Sequence, residues 1–266
     1  VIANILTIAG TDPTGGAGIQ ADLKTFSALG AYGMSAVTAV VAQNTRGVRS
    51  FVALEPAFVA DQIDAVFDDV RVDAVKIGMV ANAGIAEAIA ERLARHPDCP
   101  VVLDPVMVAK SGDLLLAPEA VAAVRELLVP RARVITPNLP EAGVLLGAPA
   151  PDSLEAMREA AAALGRLGAE WVLLKGGHLA GPDSPDLLRG GGATLVLPAP
   201  RLATRHTHGA GCTLAAALAA LLPGMDLPTA AARAKAYLTA AMAAAGRLQV
   251  GTGKGPVHHF HALWAE

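Results

Sequence analysis

The stretch "IANILTIAGTDPTGGAGIQADLKTFSALGA", residues 2–31, decides the fold. Residues 2–10 are mostly apolar and read as a strand. Residues 10–18, "GTDPTGGAG", carry the glycines and the proline of a turn. Residues 17–31 then set Ile19, Leu23 and Phe26 on one side of a helix. Strand, turn and helix in that order open a βαβ unit, and the rest of the chain repeats the pattern.

Strands are predicted at "SAVTAVVAQN" (35–44), "DAVKIGM" (73–79), "PVVLDPV" (100–106), "ARVITPN" (132–138) and "EWVLLKGG" (170–177). Helices are predicted at 56–70, 83–96, 117–129, 138–147, 153–167, 210–222 and 228–247, and a hairpin at "PDLLRGGGATLVLP" (185–198). "RGVRSFVAL" (46–54) reads as a strand outside the main ladder. The apolar strands show little in-out alternation, as strands covered on both faces do. The expected fold is therefore α/β: a three-layer α/β/α sandwich with a mostly parallel central sheet, in a single domain over residues 1–266.

Of the 266 residues, 53% are hydrophobic and only 3% aromatic, so Ala, Leu and Val must fill the core. The net charge of −3 is spread along the chain and offers no electrostatic grip on nucleic acid or an anionic membrane. Cys99 and Cys212 are too few for a disulfide framework, and no zinc spacing occurs. The first residues lack the order of a signal peptide. The apolar run from Cys212 to Leu222 is too short to span a bilayer. A soluble, cytoplasmic chain is the expectation.

Ligands of open α/β sheets bind beyond the carboxyl ends of the strands. Those ends carry Gly10 and Asp12, then Gln43 and Asn44, Gly78 and Met79, Asp104, Asn138 and Glu141, and Lys175. Each has a structural reading too. "GTDPTGGAG" also fits a plain turn, and Asn138 with Glu141 also fits a helix capping box. Lys175 also fits a lysine that snorkels to solvent, and His258, His259 and His261 fit a packed tail better than a metal site. "GAGIQA" (16–21) matches a dinucleotide fingerprint, but the next predicted strand ends in Gln43 and Asn44 rather than an acid. No P-loop motif is present.

"HTHGAGCTLAAALAALL" (206–222) breaks from a glycine-rich segment into an apolar helix, with Cys212 at the junction. Backbone N–H groups at such a terminus bind anions, and Gly209 and Gly211 let the chain approach closely. A helix N-terminus lowers a thiol's pKa, so the expectation is a part-ionised Cys212 able to take a proton. A buried structural cysteine is the other reading. Phosphoryl transfer needs a nucleotide clamp, a divalent ion, a proton acceptor and an oxyanion cradle. Lys175, Asp104 with Glu141, Cys212 and the 209–212 backbone through Ala210 match those needs.

With these residues in view, the chain resembles the hydroxymethylpyrimidine/phosphomethylpyrimidine kinases of thiamine biosynthesis, within the ribokinase-like superfamily. The resemblance rests on residues 6–45, "KIGMV" (76–80), "VLDPVMVAKSGD" (102–113), "TPNLPEA" (136–142), "LLKGGH" (173–178), "THGAGCT" (207–213) and "GPVHHFH" (255–261). It implies two successive phosphorylations, of 4-amino-5-hydroxymethyl-2-methylpyrimidine and then of its monophosphate, with ATP and Mg²⁺. It implies a pyrimidine pocket lined by Gly10, Asp12 and Gln43, with Met79 and Val106 as apolar walls. It further implies Mg²⁺ positioned by Asn138 and Glu141, beside the Asp104 already read for the divalent ion, a phosphate-binding Lys175, Cys212 as proton acceptor, and a homodimer. Ala210 stands where the family more often has threonine, and Thr252 and Lys254 where histidines are frequent. A pyridoxal or pyridoxine kinase is the nearest competing reading. A thiol-sensing pyrimidine-binding protein and an NAD-dependent dehydrogenase are further ones.

Overall fold

The computed structural model describes residues 1–107 and 116–264. The strands are β1 (Asn4–Ala9), β2 (Tyr32–Val37), β3 (Ala39–Asn44), β4 (Gly47–Ala53), β5 (Ala74–Ile77), β6 (Val101–Leu103), β7 (Val134–Ile135), β8 (Trp171–Lys175), β9 (Asp186–Gly190) and β10 (Ala193–Leu197). The helices are α1 (Gly18–Ala28), α2 (Pro56–Phe67), α3 (Ala83–Leu93), α4 (Pro118–Ala123), α5 (Leu139–Leu146), α6 (Leu154–Gly165), α7 (Ala210–Leu221) and α8 (Leu227–Ala243). The central sheet runs β10-β9-β8-β7-β6-β5-β1-β2. From β2 to β8 it is parallel, and β9 and β10 close one edge antiparallel.

Strand alternation divides the core in two. Leu6, Ile8, Val75 and Ile77 face α2, α3, α4, α5 and α6, and Ile5, Ala74 and Val102 face α1, α7 and α8. The second layer is built from alanine: Ala215, Ala216, Ala217 and Ala219 of α7 meet Ala230, Ala231 and Ala234 of α8. With so few aromatics, backbones approach closely instead of being spaced by rings. Helix α7 is apolar nearly all round because it lies buried against α1, α8, β5 and β6.

One predicted strand is two. Residues 35–44 leave the central sheet at Thr38. The Gln62 side chain of α2 takes both backbone groups of Val37, accepting from its N–H at 2.8 Å and donating to its carbonyl at 3.0 Å. Thr38 donates its hydroxyl to the Met79 carbonyl at 2.6 Å, which anchors the chain beside the end of β5. Beyond it β3 pairs antiparallel with β4 as a separate two-stranded flap. Gln43 and Asn44 therefore sit on the flap, not at the edge of the main sheet. Residues 46–54 do form a strand outside the main ladder, as expected.

The C-terminal segment packs as its histidines suggested. His258 and His259 are buried, and Thr213 and His259 share a hydrogen bond at 3.1 Å. Tyr237 donates to the His259 carbonyl at 2.7 Å. Burial, aided by the Lys24 charge, pushes the His259 imidazole down to about 3, so it is neutral in the fold. Between pH 6.5 and 3 the unfolded chain binds a proton there that the folded chain does not. This term removes stability as pH falls, by about 1.4 kcal/mol per pH unit. Glu141, with a raised pKa, acts with the opposite sign, so the useful reading is a difference between variants. Urea unfolding of His259→Gln is expected to lose less stability than the unsubstituted chain between pH 6.5 and 5. Parallel pH profiles would refute this.

Candidate active site

The chain order reverses across β1, with β2 on one side and β5 on the other, so a crevice opens at the carboxyl ends of the strands there. Four elements bring polar groups to it, three of them charged. Asp104 follows β6, and its Oδ1 accepts from the Lys175 ammonium at the end of β8 (2.8 Å) and from the Thr136 hydroxyl after β7 (2.9 Å). Lys175 Nζ is also 4.0 Å from Glu141 Oε2 on α5. All three charged groups are largely buried.

The capping box expected at 138–141 is present. Asn138 Oδ1 accepts from the Glu141 N–H at 2.9 Å, and the Glu141 carboxylate accepts from the Asn138 N–H at 2.8 Å. The Asn138 amide oxygen is thus committed to holding Glu141. Burial, together with the Asp104 charge, pushes the Glu141 carboxyl up to about 7 despite Lys175. Burial would raise the Asp104 carboxyl too, but the Lys175 and Lys76 ammonium groups and the bonds it accepts hold it below the usual range. Burial would lower Lys175, but Asp104 and Glu141 keep it above its ordinary value.

Helix α7 points its N-terminus at this group. No side chain caps it; Ala210 N–H donates to the Thr207 carbonyl at 3.3 Å and Thr213 N–H to the Gly209 carbonyl at 2.8 Å, while the Gly211 and Cys212 N–H groups between them have no intrahelical acceptor. Gly209 at the N-cap has φ +73°, and a Cβ there would lie 1.7 Å from the Gly16 carbonyl oxygen. Only glycine lets α7 seat against the loop that follows β1. A Cβ on Gly211 would lie 3.2 Å from Lys175 Nζ and 3.8 Å from Asp104 Oδ2. The helix backbone and the buried ion pair therefore lie close together, with barely a methyl's room between Gly211 and Lys175 Nζ. Ala210 lies in the first turn of the same helix.

Cys212 sits in this first turn, partly buried. The expected lowered pKa is not found. Burial pushes the thiol above its ordinary range, and the nearby Asp104 and Asp22 charges add to this. The Lys76 ammonium and a bond from the Gly18 N–H pull only partly the other way. A helix terminus favours a thiolate where water still reaches the sulfur. Here desolvation wins, and the resting thiol is neutral.

Beyond β1, Gly10 and Met79 are neighbours: a Cβ on Gly10 would lie 3.3 Å from Met79 Sδ and 3.6 Å from Val41 Cγ2 of the flap. Val41 is tied to the same loop by its N–H, which donates to Thr11 Oγ1 at 2.9 Å. Gln43 follows on β3 after a bulge, and Val106 follows Asp104. Asp12 does not offer its carboxylate to this space. It is fully buried and accepts from the Thr14 N–H (2.9 Å), the Thr14 hydroxyl (2.8 Å), the Gly16 N–H (3.1 Å) and the Ala17 N–H (2.8 Å). It also bonds His208 Nε2 at 2.7 Å. Asp12 shapes the loop from inside. Residues 108–113 of the quoted "VLDPVMVAKSGD" stretch lie outside the described residues.

Several groups here were not singled out in the sequence. Lys76 on β5 is fully buried, 2.9 Å from Asp22 Oδ2 of α1, and Thr7 donates to the same oxygen at 2.6 Å. A lysine inside "DAVKIGM" and an aspartate on the apolar side of a helix were the available signals. Thr136 and His208 carried none. The hollow lined by Pro97, Pro100, Pro130, Arg131 and Leu227 lies at the opposite, amino-terminal, ends of the strands and gathers none of this chemistry.

The phosphomethylpyrimidine kinase family model matches residues 12–258. The chain is 57% identical to the hydroxymethylpyrimidine/phosphomethylpyrimidine kinase of Escherichia coli over 262 residues, covering 98% of each. It is 53% identical to a thiamine biosynthesis bifunctional protein of Geobacter sulfurreducens, covering 97% of this chain and 52% of that one. Among solved structures, a Bacillus subtilis pyridoxal kinase in complex with ADP superposes with a TM-score of 0.92 at 38% identity, over 98% of this chain and 99% of that one. A family match across nearly the whole chain, on a ribokinase-like sheet whose crevice holds this ion pair and this helix terminus, places the protein in the phosphomethylpyrimidine kinase family.

Proposed function

We propose that this chain phosphorylates the hydroxymethyl group of 4-amino-5-hydroxymethyl-2-methylpyrimidine with ATP, and then phosphorylates the monophosphate to the diphosphate, in thiamine biosynthesis. The observation that carries the reading is the meeting of Lys175, Asp104 and the uncapped α7 N-terminus in one crevice. The names of its full-length relatives support it.

The nucleotide's terminal phosphates lie against the α7 N–H groups, with Lys175 as the point charge. The pyrimidine stacks between Gly10, Met79 and Val106, and Gln43 offers its amide to the ring nitrogen and amino group. Cys212 takes the hydroxyl proton. Its neutral resting state means the thiol must first release its own proton to solvent, with the Lys76 charge offsetting part of the cost. The second phosphorylation has a phosphate oxygen as nucleophile and needs no such acceptor.

Oxygen donors with few protein ligands suit Mg²⁺, which keeps several waters and shares its shell with substrate phosphates. Asp104 and Glu141 meet that description, and Asn138 serves by holding Glu141. Among the described residues no cluster of three acidic, His or Cys side chains stands ready to enclose an ion. When bound, the ion neutralises charge on the transferring phosphoryl group. Glu141→Gln is expected to raise the Mg²⁺ concentration giving half-maximal rate by about 10–100-fold, read by titrating the metal at fixed ATP. An unchanged titration would refute the assignment.

The protein is proposed to act in the cytoplasm as a homodimer of single kinase domains. The exposed apolar side chains Val40 and Val52 on the flap and Phe58 at the start of α2 support a partner copy, and sedimentation would measure it. The function is tested by incubation with Mg-ATP and the pyrimidine, with mono- and diphosphate sought by mass spectrometry. Pyridoxal serves as a parallel substrate, because the structural neighbours include pyridoxal kinases. A kcat/KM favouring pyridoxal would overturn the substrate assignment.

A further inference from the structure

His208 is the point where three separate segments meet. Its ring bonds Asp12 Oδ2 at 2.7 Å, and that same oxygen gathers the Gly16 and Ala17 N–H groups just before α1. Its ring also lies against Gly16, where a Cβ would approach His208 Cδ2 to 2.4 Å. Its backbone N–H donates to the Gly255 carbonyl at 3.0 Å. Its C-terminal neighbour is Gly209, the α7 N-cap.

The Gly255 segment extends the chain of contacts to the flap. Gly253 N–H donates to Thr45 Oγ1 at 3.1 Å, and Lys254 N–H donates to the Thr45 carbonyl at 2.9 Å. Thr45 lies in the turn between β3 and β4, two residues after Gln43. Cβ positions on Gly251 and Gly253 would collide with Thr45, so this strap is seated closely. Thr252 and Lys254, the departures noted in the tail, therefore lie on the strap. From Thr45 to Gly255 to His208 to Asp12, short bonds join the flap, the C-terminal strap, the phosphate-facing helix terminus and the loop beside Met79.

We infer that His208 is a positioning residue that couples the two ligand sites: it ties the pyrimidine-side loop and flap to the α7 terminus, so that ordering one orders the other. The inference rests on the function proposed above. It follows from the bonds, because a ligand drawing in the flap or the Gly10 loop pulls through Asp12 and the strap on a residue directly joined to Gly209. Two sites that share one rigid junction bind with positive coupling, since the second ligand finds the junction already set.

The test is calorimetric affinity for the pyrimidine with and without a non-hydrolysable ATP analogue, beside steady-state kcat and KM. Variants are His208→Ala, His208→Gln and Thr45→Ala. The unsubstituted protein is expected to bind the pyrimidine about fivefold or more tightly with the analogue present. His208→Ala is expected to abolish that gain and lower kcat about tenfold through misplacement of the cradle. His208→Gln keeps an N–H for Asp12 and is expected to retain most of the gain. Thr45→Ala, which removes the hydroxyl that accepts from the strap and no proposed ligand contact, is expected to reduce the gain and leave affinity for the analogue alone unchanged. It keeps the test decisive if His208→Ala fails to fold.

Absence of coupling in the unsubstituted protein, full coupling in His208→Ala or Thr45→Ala, or equal loss in His208→Gln and His208→Ala would each overturn the inference. If the unsubstituted protein does not phosphorylate the pyrimidine at all, the function itself fails and the inference with it. Normal turnover with unaltered variants overturns the inference alone.

Discussion

Replacing Cys212 with alanine is expected to lower kcat for the hydroxymethyl substrate by about 10²–10⁴-fold, the range for loss of a positioned proton acceptor. Affinity for the pyrimidine is expected to stay near that of the unsubstituted protein, because the proposed contacts of the ring are Gly10, Met79, Val106 and Gln43. The second phosphorylation is expected to suffer much less, since its phosphate nucleophile is already ionised. The raised thiol pKa adds a sharper signature. Below that pKa the thiolate fraction grows about tenfold per pH unit, so kcat of the first step should climb with pH. The alanine variant should lack that climb. Rates for each step measured across pH 6.5–8.5 check all of this (about two pH units, hence about a hundredfold range in thiolate). Equal losses in both steps, or a flat profile in the unsubstituted protein, would reduce Cys212 to a packing role.

Gly211→Ala separates the fold from the chemistry. Gly211 lies in the first turn of α7, where alanine's better helix propensity is set against crowding of Lys175 Nζ, so thermal unfolding should change little. The added methyl would stand 3.2 Å from Lys175 Nζ and 3.8 Å from Asp104 Oδ2, crowding the lysine beside the N–H groups proposed to hold the phosphates. Activity with ATP is expected to fall about 10²–10³-fold, comparable to losing a donor from an anion cradle. Unaltered ATP kinetics would move the phosphate site elsewhere. A fall in melting temperature in step with activity would point to a damaged fold instead.

The parallel sheet was legible because strand and helix periods alternate so regularly from Ile5 to Leu238. The resemblance extended that to the family. Even the flap strand at 46–54 could be read as standing apart. The break at Thr38 could not: Ala and Val continue on both sides of it, and what ends β2 is a glutamine side chain arriving from α2. Asp12 looked like a ligand-facing carboxylate, because a Gly-rich loop after a strand carries no sign of which way its acid turns. The sign of the Cys212 shift was likewise hidden, since burial is a property of what packs on the sulfur.

Residue order alone put Asp104, Asn138 and Lys175 at their strand ends, because a strand's end and a helix's start are local events governed by period and by glycine, but it did not show that Gln43 and Asn44 end on the flap. It offered the capping box of Asn138 and Glu141 as one of two readings, since such a box spans one turn, and the structure shows it formed. Tertiary structure decided the charges. Lys76 beside Asp22, Lys175 between Asp104 and Glu141, and His208 on Asp12 each join residues at least thirty positions apart. The physical reason is that a carboxylate, ammonium or thiol takes its ionisation state from desolvation and from charges within a few ångströms, and only the packed chain sets those.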